Sequence, residues 1–526
     1  MAPLHPDLSL SNPQPRGMNT AQKLGAAAAG IGLALLMAAA FGAQLPGGGW
    51  ILAAALALLA AGTIVYARGA YLHLPAGIKN NGVWQRNLSN RGLWGWLTGV
   101  VLTGFYVLLY WFPQYLGLSA GGAANTGLVG FFDPLSRALS GNAASQWFVY
   151  GTLYTLAILI LGYKFILKYR HNRYQIIRTL SVMFFQLCFA FMLPELLARL
   201  QLPYNDFKNM WPLNYYFFFD WNIKSMLSNG TFGLFMLGWG LALMFVISPI
   251  LTWRYGKRWY CSWICGCGGL AETAGDAFRH LSDKSLRAWR IERWLIHAVL
   301  VFVVMMTVSV VYAYFTNAKN IVLTRGFFAW LVIALCAAGI AVLLIGRRRW
   351  FRDMPPAAFL TALAVMAGLA TALGWAHFSN HPNVFFIESK YLKEWYGFFI
   401  GAAFSGVVGV GFYPLLGSRV WCRFGCPMAA ILGLQQRFFS RFRITTNGGQ
   451  CISCGNCSTY CEMGIDVRAY AQRGQNIVRA SCVGCGICAA VCPRGVLRLE
   501  SLSDDISRRT ADLKAIHIRE DEVKLL

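Results

Sequence analysis

Charged residues are scarce in this chain of 526 residues, of which Asp, Glu, Lys and Arg make up only 13%. That is about half the share usual in soluble proteins, and apolar residues reach 57%. So low a charge content excludes an ordinary water-exposed surface over a chain of this length. Uncharged apolar runs of about twenty residues recur instead, a pattern typical of membrane-spanning helices. The sequence therefore predicts an integral membrane protein.

Charge is also absent from the predicted spans themselves, since none of the 46 basic and 21 acidic residues lies inside one. This distribution is expected because a charge in the middle of a bilayer is energetically costly. Each run is long enough to cross the hydrocarbon layer as a helix. The ten predicted spans are 24–44, 49–67, 92–115, 146–163, 179–194, 232–253, 294–315, 327–346, 358–376 and 395–418.

Acidic residues are few relative to basic ones, which gives a net charge of +25 at pH 7. Such a balance alone would suggest nucleic-acid binding. However, 38 of the 46 Lys and Arg residues lie in the two terminal segments and in alternate connections between the spans. Because basic loops stay cytoplasmic, we predict a cell inner-membrane protein with both termini cytoplasmic, in contact with lipid and not with nucleic acid. The Ala-rich span 24–44 also fits a cleaved signal sequence, without changing the later orientation.

Histidine is nearly missing from the predicted spans, where only His297 occurs. Its scarcity excludes a b-type haem held between histidines of two facing helices. The polar C-terminal stretch also has no nucleophile paired with a base and no phosphate-binding glycine loop. No catalytic residue is therefore predicted.

Cysteine is abundant, with 15 residues, and the C-terminal stretch carries the runs CISCGNCSTYC and CVGCGICAAVC. Both have the C-x2-C-x2-C-x3-C spacing that holds a cubane [4Fe–4S] cluster. Three thiolates of a run reach one cluster, and the fourth completes the neighbouring cluster. The ligands predicted for the first cluster are Cys451, Cys454, Cys457 and Cys492. The ligands predicted for the second are Cys482, Cys485, Cys488 and Cys461.

Five other cysteines lie in two similar stretches. RWYCSWICGCGGLAE contains Cys261, Cys265 and Cys267, and RVWCRFGCPMAAILG contains Cys422 and Cys426. The two stretches align as an internal repeat, each after a span that runs toward the cytoplasm. We expect both at the same membrane surface, with converging thiols. Such thiols would hold a further Fe–S or other metal centre, act as redox thiols, or form purely structural turns.

The predicted fold class is an all-α polytopic membrane protein with about ten transmembrane helices. A small C-terminal α+β double [4Fe–4S] ferredoxin-like module follows them. The predicted divisions are a flexible tail (1–23), an N-terminal membrane region (24–231), a core membrane region with the first cysteine hairpin (232–418), the second hairpin with an amphipathic linker (419–445), the ferredoxin domain (446–500) and a polar tail (501–526).

Together these motifs resemble the membrane polyferredoxins of the NapH/NosR/CcoG group. The resemblance is carried by Cys261 and Cys265, by Cys422 and Cys426 followed by Pro427, and by the eight C-terminal cysteines. It covers about residues 230–500. The first hairpin departs from the group, because it reads Cys-Gly-Cys where the group has Cys-Pro.

The resemblance implies electron transfer between the quinone or quinol pool and a redox partner protein. We therefore expect a relay through two cytoplasmic [4Fe–4S] clusters, as an oxidoreductase component rather than a stand-alone enzyme. The alternative that it implies is an assembly or metal-handling factor for a respiratory metalloenzyme, through CcoG-like copper reduction or NosR-like support.

Overall fold

The computed structural model describes residues 17–43, 48–72, 91–119, 123–317, 324–352 and 354–500, and two strands beyond them. Among the described residues, nine helices are long and apolar enough to cross a membrane. They are Thr20–Ala40, Gly49–Tyr71, Leu93–Trp111, Gln146–Lys168, Arg173–Arg199, Gly230–Tyr255, Leu286–Thr316, Arg325–Gly346 and Pro356–Phe378. The prediction of a multi-pass helical membrane protein is confirmed.

Some of these spans consist of more than one helical element. The α-helices as far as residue 439 are α1 (Thr20–Ala40), α2 (Gly49–Tyr71), α3 (Leu93–Trp111), α4 (Gly127–Ser140), α5 (Gln146–Lys168), α6 (Arg173–Phe184), α7 (Leu193–Arg199), α8 (Asp220–Ser228), α9 (Gly230–Ala242), α10 (Ser248–Tyr255), α11 (Arg258–Cys261), α12 (Gly266–Thr273), α13 (Leu286–Asn317), α14 (Arg325–Gly346), α15 (Pro356–Phe378), α16 (Ser389–Trp395), α17 (Tyr413–Leu416) and α18 (Pro427–Phe439). Short 3-10 helices cover Pro113–Leu116, Ala274–Leu281 and Gly448–Gln450.

Several stretches have π-helical hydrogen bonding, a geometry that often marks functional sites. They are Phe185–Met192, Leu243–Ile247, Tyr396–Val408 and Trp421–Gly425. The third replaces most of the predicted span 395–418, where glycines recur and relax the constraints on the backbone. For this reason that span forms no continuous α-helix and is not among the nine.

Local chemistry decides where several spans begin. Ser145 accepts a hydrogen bond from the Phe148 N–H at the start of α5, and Thr324 accepts one from the Phe327 N–H at the start of α14. Pro356 begins α15, a position where its missing N–H removes no helical hydrogen bond. The Ser145 and Thr324 side chains thus provide acceptors for backbone N–H groups of the first helical turn, which lipid cannot provide.

Residues 443–500 form a small α+β unit, which we call the C-terminal module. Its strands β1 (Arg443–Thr446) and β2 (Leu497–Glu500) pair antiparallel, with Arg443 opposite Glu500. The short helices between them are α19 (Asn456–Thr459), α20 (Val467–Gln472) and α21 (Ile487–Ala490). A second antiparallel pair follows, β3 (Ile516–Arg519) with β4 (Glu522–Leu525).

The C-terminal module packs directly on the membrane region, because one buried apolar cluster contains residues of both. Trp259 and Leu432 contribute from the membrane region, and Ile444, Val483 and Val496 from the module. Hydrogen bonds of 2.8–2.9 Å also attach the loop 482–485 to the membrane region. Their donors are the side chains of Tyr174, Gln175, Ser262 and Gln436, and their acceptors are the carbonyl oxygens of Gly484, Cys485, Val483 and Cys482 respectively.

Candidate iron–sulfur sites

The C-terminal module contains two cavities, each lined by four cysteines. The first is lined by Cys451, Cys454, Cys457 and Cys492. The second is lined by Cys461, Cys482, Cys485 and Cys488. Each cavity therefore takes three cysteines from one run and the last cysteine from the other run, the grouping that the spacing predicts.

Left-handed backbone turns let the two runs curve around these cavities. Gly455 and Gly486 have φ angles of 76° and 74° and directly precede α19 and α21, which carry Cys457 and Cys488. Glycine adopts this conformation without the penalty that a side chain brings. The second residue after the first cysteine is also left-handed in both runs. In the second run it is Gly484, whereas in the first run it is Ser453, with a φ of 57°.

The chemistry of the donors fits a thiolate-bound cluster. None of the 15 cysteines, all of which lie in the described part of the chain, forms a disulfide. Backbone N–H groups of Met463 and Ile465 donate to the sulfur of Cys461, and that of Gly484 donates to Cys482. Burial nevertheless raises the pKa of the Cys461 thiol to about 11. A bound cation would supply the charge that ionises it.

The two cavities differ in their surroundings. Cys454 of the first is exposed, whereas Cys482 and Cys488 of the second are buried. The second cavity lies against the membrane region, through the hydrogen bonds to residues 482–485. The first cavity therefore opens to solvent, and the second is enclosed between the module and the spans.

The two cysteine hairpins of the membrane region come together beneath the second cavity. We define the first hairpin as residues 261–267 and the second as residues 422–426. The thiols of Cys261, Cys265, Cys422 and Cys426 are buried in the apolar cluster that also contains Cys482 and Cys488. Cys267 is partly buried and packs against this set. The four thiols therefore share one buried cluster, and their convergence on a common centre stays a prediction.

Equivalent cysteines occupy equivalent positions in the two hairpins. Cys265 is the N-cap of α12, and Cys426 is the N-cap of α18, where its sulfur accepts a hydrogen bond from the Ala429 N–H at 3.4 Å. Cys422 lies in a π-helical turn. The guanidinium of Arg419 joins the hairpins, since its Nη1 lies 3.2 Å from the Cys261 carbonyl oxygen and 3.6 Å from the Cys422 sulfur.

The hairpins pack against the middle of neighbouring helical segments, and their position at a membrane surface stays a prediction. A Cβ atom built on Gly266 would lie 2.6 Å from Oε1 of Gln186, the central residue of the span Arg173–Arg199. A Cβ on Gly425 would lie 2.4 Å from the ring of Phe404, inside the helical segment 389–408. The glycines let the chain fold back between the spans. The surrounding protein, rather than lipid, then encloses the polar groups of this irregular backbone, as a re-entrant segment in a membrane requires.

The loop that joins the spans Arg173–Arg199 and Gly230–Tyr255 reaches the first hairpin, which follows the second of these spans. The Tyr260 hydroxyl lies 3.4 Å from Oδ1 of Asn209, and Met210 is buried in the same cluster as the hairpin thiols. Lys208, paired with Asp206 at 3.2 Å, adds a positive charge near Cys265. Sequence reasoning missed this contact, because no local pattern reports which distant loop covers a hairpin.

A network of buried charges joins the hairpins to the C-terminal module. Arg279 pairs with Glu272, Asp276 and Glu462 at 2.7–2.8 Å. Arg419 pairs with Glu272 at 2.6 Å and with Glu462 at 2.9 Å. All five side chains are at most 3% exposed, so solvent does not screen them.

Two spans also contribute to this network. Arg178 of α6 pairs with Glu272, and Lys168 at the end of α5 pairs with Asp276, both at 2.6 Å. Burial opposes the ionisation of Asp276, but Lys168 and Arg279 outweigh it and lower the pKa of that carboxyl to about 2. Asp276 is therefore held as an ion pair with Lys168 and Arg279.

Glu462 explains why the first cysteine run lacks the proline that follows the second. It directly follows Cys461, at the position that Pro493 occupies after Cys492. A carboxylate is needed there because Arg279 and Arg419 would otherwise be left buried without their partner. Glu462, Glu272 and Cys485 come within 4.8 Å of one another, but the two carboxylates are already bound by the arginines.

Comparison with known proteins links these sites to iron–sulfur domains. Residues 450–497 match the model of a 4Fe-4S dicluster domain, and residues 237–285 and 397–445 each match that of a 4Fe-4S binding domain. Three segments of the chain are thus similar to iron–sulfur domains. The double match to one model agrees with the internal repeat, because each matched segment contains one hairpin.

A weaker similarity extends over a longer part of the chain. The chain is 23% identical over 226 residues to "Putative electron transport protein YccM" of Escherichia coli (strain K12), which covers 43% of this chain and 47% of that protein. The chain therefore spans about half the length of that relative. No solved structure matches.

Proposed function

We propose that this protein is a membrane-bound electron relay, in which the C-terminal module holds two [4Fe–4S] clusters that exchange electrons between the quinone pool and a redox partner. The observation that carries the proposal is the presence of two neighbouring cavities, each lined by four cysteines drawn from both runs. The name of the relative from Escherichia coli agrees with an electron-transport role. The basic loops favour a cytoplasmic location for the module.

The proposed ligands have distinct tasks. Cys451, Cys454, Cys457 and Cys492 would hold one cluster, and Cys461, Cys482, Cys485 and Cys488 the other. A [4Fe–4S] cluster bound there supplies one-electron chemistry that breaks no bond to the protein. The chain contributes N–H donors to the sulfurs and an enclosed second site, two features by which proteins adjust cluster potentials.

The hairpin thiols extend the relay into the membrane. They converge next to the second cavity, and the two hairpin segments match a 4Fe-4S binding domain model. A third metal centre held by Cys261, Cys265, Cys422 and Cys426, with Cys267 beside it, would lie at the depth of the spans, where a lipid-soluble quinol approaches. We therefore propose the hairpins as the point where electrons pass between quinol and the module.

Iron analysis and EPR spectroscopy of the purified protein test the relay. We expect about eight iron atoms per chain from the module, with interacting cubane signals after reduction, and more iron if the hairpins hold a cluster. A short-chain quinol should reduce the centres that dithionite reduces. Four or fewer iron atoms, or zinc in their place, would contradict the cluster assignment. If no quinol reduces the centres and no quinone reoxidises the dithionite-reduced centres, the quinone step alone is contradicted.

A second candidate function, metal handling for a respiratory enzyme, rests on the five hairpin thiols that lie outside the C-terminal module. Cys422→Ser separates the two functions. If the hairpins carry electrons, the variant loses reduction by quinol but keeps the module's iron and its reduction by dithionite. If the hairpins handle metal, quinol reduction persists and copper(I) binding, measured by competition with a chromogenic chelator, is lost. Cys336→Ser in α14, which is buried away from the hairpins, is the matched control.

A further inference from the structure

The rim of the first cavity is the solvent-facing end of the C-terminal module. Ile452 is 59% exposed, and its neighbour Cys454 is exposed as well. Arg468 and Arg494 line the same cavity and are exposed. An apolar side chain next to a cluster ligand, flanked by two arginines, thus forms a face that a soluble molecule can reach. We call these four residues the distal face.

The charges around the distal face are mostly positive. Between residues 450 and 498 the chain has five arginines and two acidic residues. Of the two acids, Glu462 is buried between Arg279 and Arg419. Asp466 is half-buried and accepts hydrogen bonds from the Ser458 hydroxyl and the Ala469 N–H. Arginines therefore outnumber carboxylates in the part of this segment that reaches the surface.

The membrane region excludes the other end of the module as a docking site for a soluble protein. Both cavities are lined by residues of the module, but loop 482–485 at the second cavity is hydrogen-bonded to side chains of the membrane region. The first cavity is therefore the end of the module that a soluble partner can reach.

We propose that the distal face binds an acidic, soluble electron-carrier protein, whose carboxylates meet Arg468 and Arg494 while its redox centre approaches Ile452 and Cys454. This inference rests on the proposed relay function and names the class of its soluble partner. In each encounter one electron is exchanged: the carrier loses the electron that the module gains, or the reverse, and no bond forms or breaks. Opposite charges speed such encounters and make them sensitive to salt.

Binding of an acidic flavodoxin to the detergent-solubilised holoprotein tests the proposal without depending on turnover. We expect saturable binding that weakens steeply as salt rises from low to physiological ionic strength. Arg468→Glu with Arg494→Glu should weaken binding about tenfold or more and remove most of the salt dependence. The corresponding Gln variants should give intermediate affinity, because they remove the attraction without adding repulsion.

Charge reversal elsewhere provides the control. Arg348→Glu with Arg349→Glu changes the net charge equally, at exposed positions after α14, and should leave flavodoxin binding unchanged. Equal weakening by both pairs would contradict a localised face. Binding of the wild type to anionic vesicles but not to flavodoxin would overturn the proposal in favour of lipid. Iron content and dithionite reduction are measured on every variant, so that a failure of the clusters is distinguishable from a failure of docking.

Discussion

Glu462→Gln is expected to destabilise the protein by about 3–5 kcal/mol, the cost typical of removing one partner from a buried ion pair. Glu462 accepts hydrogen bonds from Arg279 at 2.8 Å and from Arg419 at 2.9 Å, with none of its side chain exposed. The neutral amide removes the charge that both guanidinium groups face. The remaining carboxylates of Glu272 and Asp276 cannot balance Arg178, Arg279, Arg419 and Lys168.

The loss should begin at the junction between the hairpins and the C-terminal module, because Glu462 is the residue of the module that bonds to the arginines. Thermal unfolding of the solubilised protein and retention of iron during heating measure it. Glu394→Gln is the matched control, since it changes the same residue type in an exposed pair with Lys390. Such surface pairs contribute about 0–1 kcal/mol. If the two variants melt alike, the network does not join the module to the spans.

The sequence predicts those parts of the molecule that depend on short-range spacing. Apolar length is sufficient to place nine of the predicted spans, because a helix must be about as long as the bilayer is thick. Cysteine spacing likewise predicts that Cys461 lines the second cavity and Cys492 the first. In both cases the constraint is local and leaves its pattern along the chain.

The remaining features depend on contacts between distant residues. Glu462 is a departure from the repeated motif, but only the approach of Arg279 and Arg419 gives it a role. The hairpins pack against Gln186 and Phe404 because Gly266 and Gly425 leave room for these side chains, and neither glycine differs in sequence from one in an ordinary turn. Hydropathy shows where a span ends and cannot show that the chain then folds back between the spans.

Removing three ligands of the first cavity gives a background that tests directly whether the last cysteine of each run belongs to the other cavity. Cys451→Ala, Cys454→Ala and Cys457→Ala together should leave about four iron atoms in the C-terminal module, all in the second cavity. Adding Cys492→Ala to this background should change neither the iron content nor the EPR spectrum of the module. Adding Cys461→Ala should alter or abolish the remaining signal, because Cys461 lines the second cavity.

The opposite outcome has an equally definite meaning. If each run held its own cluster, Cys461→Ala would have no further effect in this background and Cys492→Ala would remove the remaining signal. The two additions change the same residue type in equivalent positions of the repeat, so each is the control for the other. If the signal is lost when Cys492→Ala is added to this background, and kept when Cys461→Ala is added, the crossed arrangement of thiolates is excluded.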